Sequence, residues 1–193
     1  MKIAAHIEIE GIKPILINTF PLDTLTSNKS KTGTAGNNQT EWEKTVLMTH
    51  DRQLFVHNTY LIGAITSAGK MIKSGKSTIH KKVGSSLEIV EPQLLLIGLQ
   101  VPTPEEISND STQPVYLDVR AVVNPMTKGR NVRYRVAARP GWKLQATISW
   151  DDKAVSKEDM RICVENAGLF EGIGDGRKIG FGRFKMNHFK MEK

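Results

Sequence analysis

Between Gly168 and Phe184 the chain reads GLFEGIGDGRKIGFGRF, with six glycines, three basic residues and three phenylalanines in seventeen positions. No other stretch restricts the fold so tightly. Glycine weakens the interior of helices and strands, so a run this dense must be a loop. Gly172, Gly174, Gly176, Gly180 and Gly182 exceed what one turn needs. A tight turn and a bulge in a following strand account for two or three of them. Without a Cβ, the remainder would let the backbone approach a ligand, its successive N–H groups facing phosphate oxygens as an anion nest. Arg177, Lys178 and Arg183 would add charge-assisted contacts.

The charge balance points the same way. The net charge is +7 and the isoelectric point about 9.5. The cations are clustered, which is what distinguishes a binding surface from a merely solvated one. From Val119 to Trp150 there is no acidic residue, yet Arg120, Lys128, Arg130, Arg133, Arg135, Arg139 and Lys143 all fall there. A second block holds Lys70, Lys73, Lys76, Lys81 and Lys82, and a third joins Arg177, Lys178 and Arg183 to Lys185 and Lys190. Acids collect around 104–110 and 151–158. The expected partner is a polyanion, most simply a single strand of RNA or DNA. No apolar run suits a membrane span, and the alternating MKIAAHIEIE start does not read as a signal peptide. A single cysteine, Cys163, excludes an intrachain disulfide and fits a reducing, cytoplasmic setting.

Hydrophobic spacing sets the expected elements. Ile3, Ala5, Ile7 and Ile9 alternate as a half-buried strand that resumes at Pro14–Asn18. Residues 27–40 are polar and glycine-containing, the centre of a flexible loop of about 23–45. Thr59–Lys73 has the 3–4 spacing of a helix, capped by Asn58 or Thr59, with Gly75 just past its end. Leu87–Ile97 reads as a strand interrupted by proline. Alternating runs around Leu117–Val123, Val132–Val136 and Trp142–Trp150 read as three strands of an inserted β region at about 115–150. Ser156 opens a short helix that Gly168 would stop, and Ile179–His188 closes the chain as a strand. This order predicts an α+β domain spanning 1–193, with a ferredoxin-like βαββαβ core, an inserted β-hairpin and a C-terminal glycine-rich loop.

Other motifs carry less chemistry. Gly75-Lys76-Ser77-Thr78 resembles the end of a phosphate-binding loop, but position 70 is lysine where that loop requires glycine. His6, on the polar face of the first strand, and His50 and His57, which flank LFV, could build an acid–base pair, but nothing in the sequence pairs them with a nucleophile or an orienting carboxylate. Cys163 lies on an apolar helix stripe and reads as core. No histidine–cysteine spacing fits a metal, and no cofactor is expected.

The segment G-I-G-D-G-R-K-I-G-F-G-R-F resembles the C-terminal glycine-rich loop of the RAMP superfamily of CRISPR-associated proteins. Gly172, Ile173, Gly174, Gly180, Phe181 and Gly182 match that family's Gly-hydrophobic-Gly, basic stretch and Gly-x-Gly. The segment LFVHNTYLIGAITSAGK resembles the family's first-helix entry, without its Pro-Gly and basic residue. Over about 117–186 the chain is similar to a phage-encoded group of such proteins, through Arg139-Pro140, Trp142, Ala167-Gly168, Gly172–Asp175 and Gly180–Phe184. The resemblance implies an RNA-recognition-like fold, similar to the backbone subunit that polymerises along guide RNA. Some members cleave RNA with an aspartate after the first strand, where Asp23 is the nearest candidate here.

The expected function is therefore non-catalytic binding of single-stranded nucleic acid, with copies of itself or other effector subunits as further partners. Gly172, Gly174, Gly176, Arg177, Lys178, Gly180, Gly182 and Arg183 would meet the strand. Lys128, Arg130, Arg133 and Arg135 would extend the track, and Phe181, Phe184 or Tyr134 could stack bases. The alternatives are a metal-independent endoribonuclease using His6, His57 or Asp23, an inhibitor or assembly protein that binds an acidic partner, and a strand-annealing protein.

Overall fold

The structure, a computed structural model, describes residues 1–20, 39–123, 126 and 128–192. Strand β1 (Lys2–Gly11) follows its sequence alternation, with Ala5, Ile7 and Ile9 buried between more exposed neighbours. It pairs antiparallel on both sides. Ile7 lies opposite Ala146 of β10 (Lys143–Asp151) and opposite Phe189 of β11 (Phe184–Met191). The short strand β6 (Glu88–Ile89) continues the sheet beyond β10, giving the order β11-β1-β10-β6. The last strand and the penultimate long strand thus flank the first.

Helices cover the apolar side of this sheet. Helix α2 (Asn58–Ala68) buries Leu61, Ala64, Ile65 and Ala68, and helix α4 (Lys157–Asn166) buries Met160, Cys163 and Val164. They pack on one another and on β6 and β11 respectively. A third helix, α3 (His80–Ser86), packs on α2 and β10 through the fully buried Val83. Its sequence, HKKVGSS, has one large apolar residue and so no periodicity to read. Trp142 and Trp150 fill the core, and each indole N–H finds a carbonyl, of Lys13 at 2.9 Å and of Val155 at 3.0 Å.

Two smaller sheets complete the body. Strands β2 (Ile15–Ile17), β9 (Arg130–Ala138) and β8 (Val115–Val123) form one in the order β2-β9-β8, and β3 (Gln53–His57) pairs with β7 (Gln93–Gln100) in the other. Pro92 separates β6 from β7, as the proline interruption implied.

Several expected boundaries shift. Helix α2 ends at Ala68 and gives way to a 3₁₀ turn at Gly69–Met71, where Gly69 lies so close to the His80 backbone that a Cβ would stand 3.0 Å from it. Lys73 then leaves the helix for a small hairpin of β4 (Lys73–Ser74) and β5 (Ser77–Thr78), turning through Gly75 and Lys76. Asn58 does not cap α2, since its amide donates instead to the Ile89 carbonyl. Within the expected flexible loop, residues 21–38 lie outside those described, but Glu41–Thr45 forms a short helix, α1, anchored by the buried Trp42. Gly168 does not stop α4. The chain continues through a π turn at Ala167–Glu171 and leaves it at Gly172, while Gly168 is required because its Cβ would lie 2.2 Å from the Phe184 carbonyl oxygen. The closing strand starts at Phe184 rather than Ile179.

The cap of α4 is as expected: Ser156 Oγ accepts from the Asp159 amide at 3.1 Å and donates to its carboxylate at 2.8 Å. Ser156→Ala should lower unfolding stability by about 1 kcal/mol in urea titration.

Candidate nucleic-acid interface

The glycine-rich loop between the π turn and β11 is bound to the protein's own backbone. Gly182 donates to Pro14 at 2.7 Å, Asp175 to Leu16 at 2.8 Å, and Ile173 to Gly182 at 3.0 Å. Gly172 donates to Ala167, Gly176 to the Asp175 carboxylate, and Ile179, Gly180 and Phe181 to carbonyls within the loop. These N–H groups are therefore engaged internally, and the expected open anion nest is not formed by them. The loop also presents to solvent the side chains of Arg177, Lys178 and Ile179.

The five glycines from Gly172 to Gly182 all have positive φ, which only glycine adopts freely. They differ in surroundings. A Cβ on Gly182 would fall 1.7 Å from the Ile173 carbonyl oxygen, whereas one on Gly180 would meet nothing within 4 Å. Gly172 and Gly174 are likewise pressed against backbone, of Phe181 and Leu16, and Gly176 against the Phe181 ring. Four of the five glycines thus serve close packing within the protein, more than the sequence suggested.

Arg177 and Lys178 occupy an exposed 3₁₀ turn (Arg177–Ile179) at the loop's crest, with no ion-pair partner among the described residues. Arg183 is half-buried, with its Nη1 atom enclosed and unpartnered. Lys128 and Arg130 are exposed where the β8–β9 hairpin turns. The other expected cations are engaged. Arg135 is buried, donating to Asp175 at 2.9 Å and to Asp118 at 3.2 Å. Arg133, on the same face of β9, pairs with Glu41 of α1. Arg135 is therefore not available to a strand, because two carboxylates already hold it. The expected stacking residues are also displaced from solvent. Phe184 is fully buried beside Trp142, and Phe181 lies beneath the Arg120 guanidinium, 4.6 Å from the ring centroid. Tyr134 is half-buried opposite Val119, on the hairpin face away from the arginines.

Beside the loop lies an open cleft that the sequence reading missed. Asn18, Thr59, Tyr60, Gly174, Asp175 and Arg177 line a cavity of about 200 Å³ between α2 and the loop. A second cavity of about 520 Å³ shares Asn18 and Asp175 and reaches Arg133 and Val122 on the hairpin. Burial raises the Tyr60 phenol above its usual range; Asp175 raises it further and Arg177 opposes the shift. The one available signal was Asp175 itself, the sole acid between Gly172 and Phe184.

The nuclease candidates do not converge. His6 is exposed on β1, its Nδ1 3.0 Å from Thr147 Oγ1, while His57 ends β3 in edge contacts with Phe55 and Tyr60. Asp23 lies outside the described residues. Burial pushes the Cys163 thiol up to about 12, so it is protonated at neutral pH. Among the described residues no cluster of histidine, cysteine and acidic side chains could hold a metal, and no helix is long and apolar enough to cross a membrane.

No protein-family model matches the chain, and no curated protein does. Solved structures match. A chain of the Type III-B Cmr-beta bound to cognate target RNA, determined by cryo-EM, aligns with a TM-score of 0.57 at 11% identity, over 100% of this chain and 61% of that one. Cmr6 from Pyrococcus furiosus, known from a crystal structure, aligns with a TM-score of 0.49 at 10% identity, over 96% of this chain and 98% of that one. The first of these alignments shows a shared fold, here a mixed α/β fold with antiparallel sheets. The chain spans 61% of the length of the first of these neighbours.

The two glycine environments separate by mutation. Gly182→Ala should destabilise the protein severely, by more than about 4 kcal/mol, because strain at positive φ adds to a backbone collision. Gly180→Ala should cost only the conformational strain, about 1–2 kcal/mol. Thermal unfolding of the two variants checks both values.

Proposed function

We propose that the chain is a single-strand RNA-binding protein of the RAMP type, built like a backbone subunit of CRISPR effector complexes and acting without cleaving its ligand. The observation that carries this reading is the exposed, unpaired Arg177–Lys178 turn beside an open cleft. Its support comes from the fold, which resembles that of a chain in an assembly bound to target RNA. The strand order β11-β1-β10-β6, antiparallel throughout, is the order of a ferredoxin-like βαββαβ sheet and supports that finer description.

Arg177 and Lys178 would hold the phosphate backbone, with Arg183 behind them. Lys128 and Arg130 would extend the track along the hairpin. Arg135 and the four packed glycines act as the frame of the site, fixing the loop while side chains make the contacts. The nuclease alternative needs an acid and a base on one scissile phosphate, and His6 and His57 belong to different sheets. Val119, Ala121 and Val123 leave an exposed apolar edge on β8, which suits contact with a neighbouring subunit or another copy of the chain.

Fluorescence anisotropy with a labelled single-stranded RNA across a salt series tests the reading. Wild type should bind with strong salt dependence. The double variant Arg177→Ala/Lys178→Ala should bind more weakly, with a log–log salt slope shallower by about 1–1.5. Absence of binding at low salt would reject the proposal. An unaltered slope in the variant would move the strand away from the loop.

A further inference from the structure

The cleft beside the glycine loop contains an acid where a phosphate site would have none. Asp175 lines both cavities and its side chain remains 37% exposed. One carboxylate oxygen accepts from Arg135 and the other from the Gly176 amide. Each carboxylate oxygen has a second lone pair, so acceptor capacity remains. Arg177 lines the same cavity and is exposed. The same cavity is lined by three uncharged polar side chains, Asn18, Thr59 and Tyr60, with no side-chain hydrogen bond to another described residue.

A strand held by Arg177 brings its own negative charge close to Asp175. That approach is unfavourable unless the strand donates a hydrogen bond to the carboxylate. The sugar of DNA has no donor. The 2′-hydroxyl of RNA is both donor and acceptor, and it is the group by which proteins tell the two apart. A carboxylate receiving a ribose hydroxyl is a recurrent solution in nucleotide sites. Tyr60 lines the same cavity and would supply the complementary half of the exchange. As a phenol it can donate to the hydroxyl oxygen that donates to Asp175.

We propose that the cleft of Asn18, Tyr60, Asp175 and Arg177 reads the ribose 2′-hydroxyl and makes the chain selective for RNA over DNA. This rests on strand binding at the glycine loop, proposed above, and specifies its substrate. Arg177 supplies affinity for either strand, and Asp175 with Tyr60 supplies the discrimination.

The test uses the full chain and three single strands of one sequence: RNA, DNA and 2′-O-methyl RNA, which keeps the oxygen but removes the donor. Since Asp175 also holds Arg135, the donor is removed from the ligand and the protein change is confined to Tyr60→Phe, with its melting temperature measured alongside. RNA should bind about 5–10-fold more tightly than DNA, as one charge-assisted hydrogen bond allows. The 2′-O-methyl strand should bind like DNA, and Tyr60→Phe should shrink the RNA:DNA ratio by about threefold. If none of the strands binds at low salt, the underlying strand-binding reading fails. If RNA binds but DNA or 2′-O-methyl RNA binds equally well, or if Tyr60→Phe weakens RNA and DNA alike, the ribose proposal is overturned while strand binding stands.

Discussion

The architecture around the candidate site depends on one buried guanidinium. Arg135 reaches from β9 to Asp118 on β8 and to Asp175 in the glycine loop, which joins three segments far apart in sequence. A charge so enclosed persists only if it is paired, and loss of either carboxylate would leave it with a single partner. Asp118 in turn accepts from Arg120, whose guanidinium covers Phe181 and so closes the small apolar cluster of Leu16, Tyr116, Ala137 and Phe181. The hairpin and the loop are consequently one unit. Their relative position is set by directional bonds rather than by apolar burial alone, which is what a surface of fixed geometry requires.

That arrangement reverses the expected division of labour in the loop. The glycines let the chain pass close to its own backbone, at Phe184, Pro14 and Leu16, and in doing so engage most of the amides that could have received a phosphate. Side chains are left to make external contacts, and they carry opposite charges within one cavity. A surface of lysine and arginine alone would hold any polyanion. Asp175 adds a hydrogen-bond acceptor to the same surface.

Much of this was legible in the sequence. Alternation located β1, β9 and β10, and Ser156 located the start of α4, because both signals are local. Helix α3 was not, since a seven-residue helix with one buried side chain leaves no period. Alternation also identifies which residues share a face but not which face is covered. Val119, Ala121 and Val123 form an apolar row that stays exposed, while Arg135 on the opposite face is buried. The engagement of Arg135 by Asp175, forty residues away, leaves no local trace, and neither does the collision that makes Gly182 obligatory. The glycine run was thus legible as a loop, but its packing against the protein's own backbone was not.

The single cysteine has a practical corollary. Cys163 has no exposed surface, and its thiol is kept protonated by the core around it. Thiol-directed reagents act on the accessible thiolate, so the folded chain offers them no target. A cysteine introduced at the exposed crest of the loop, as in Lys178→Cys, would be the one labelled position, and a dye or spin probe there would report on the crest without any native residue having to be removed.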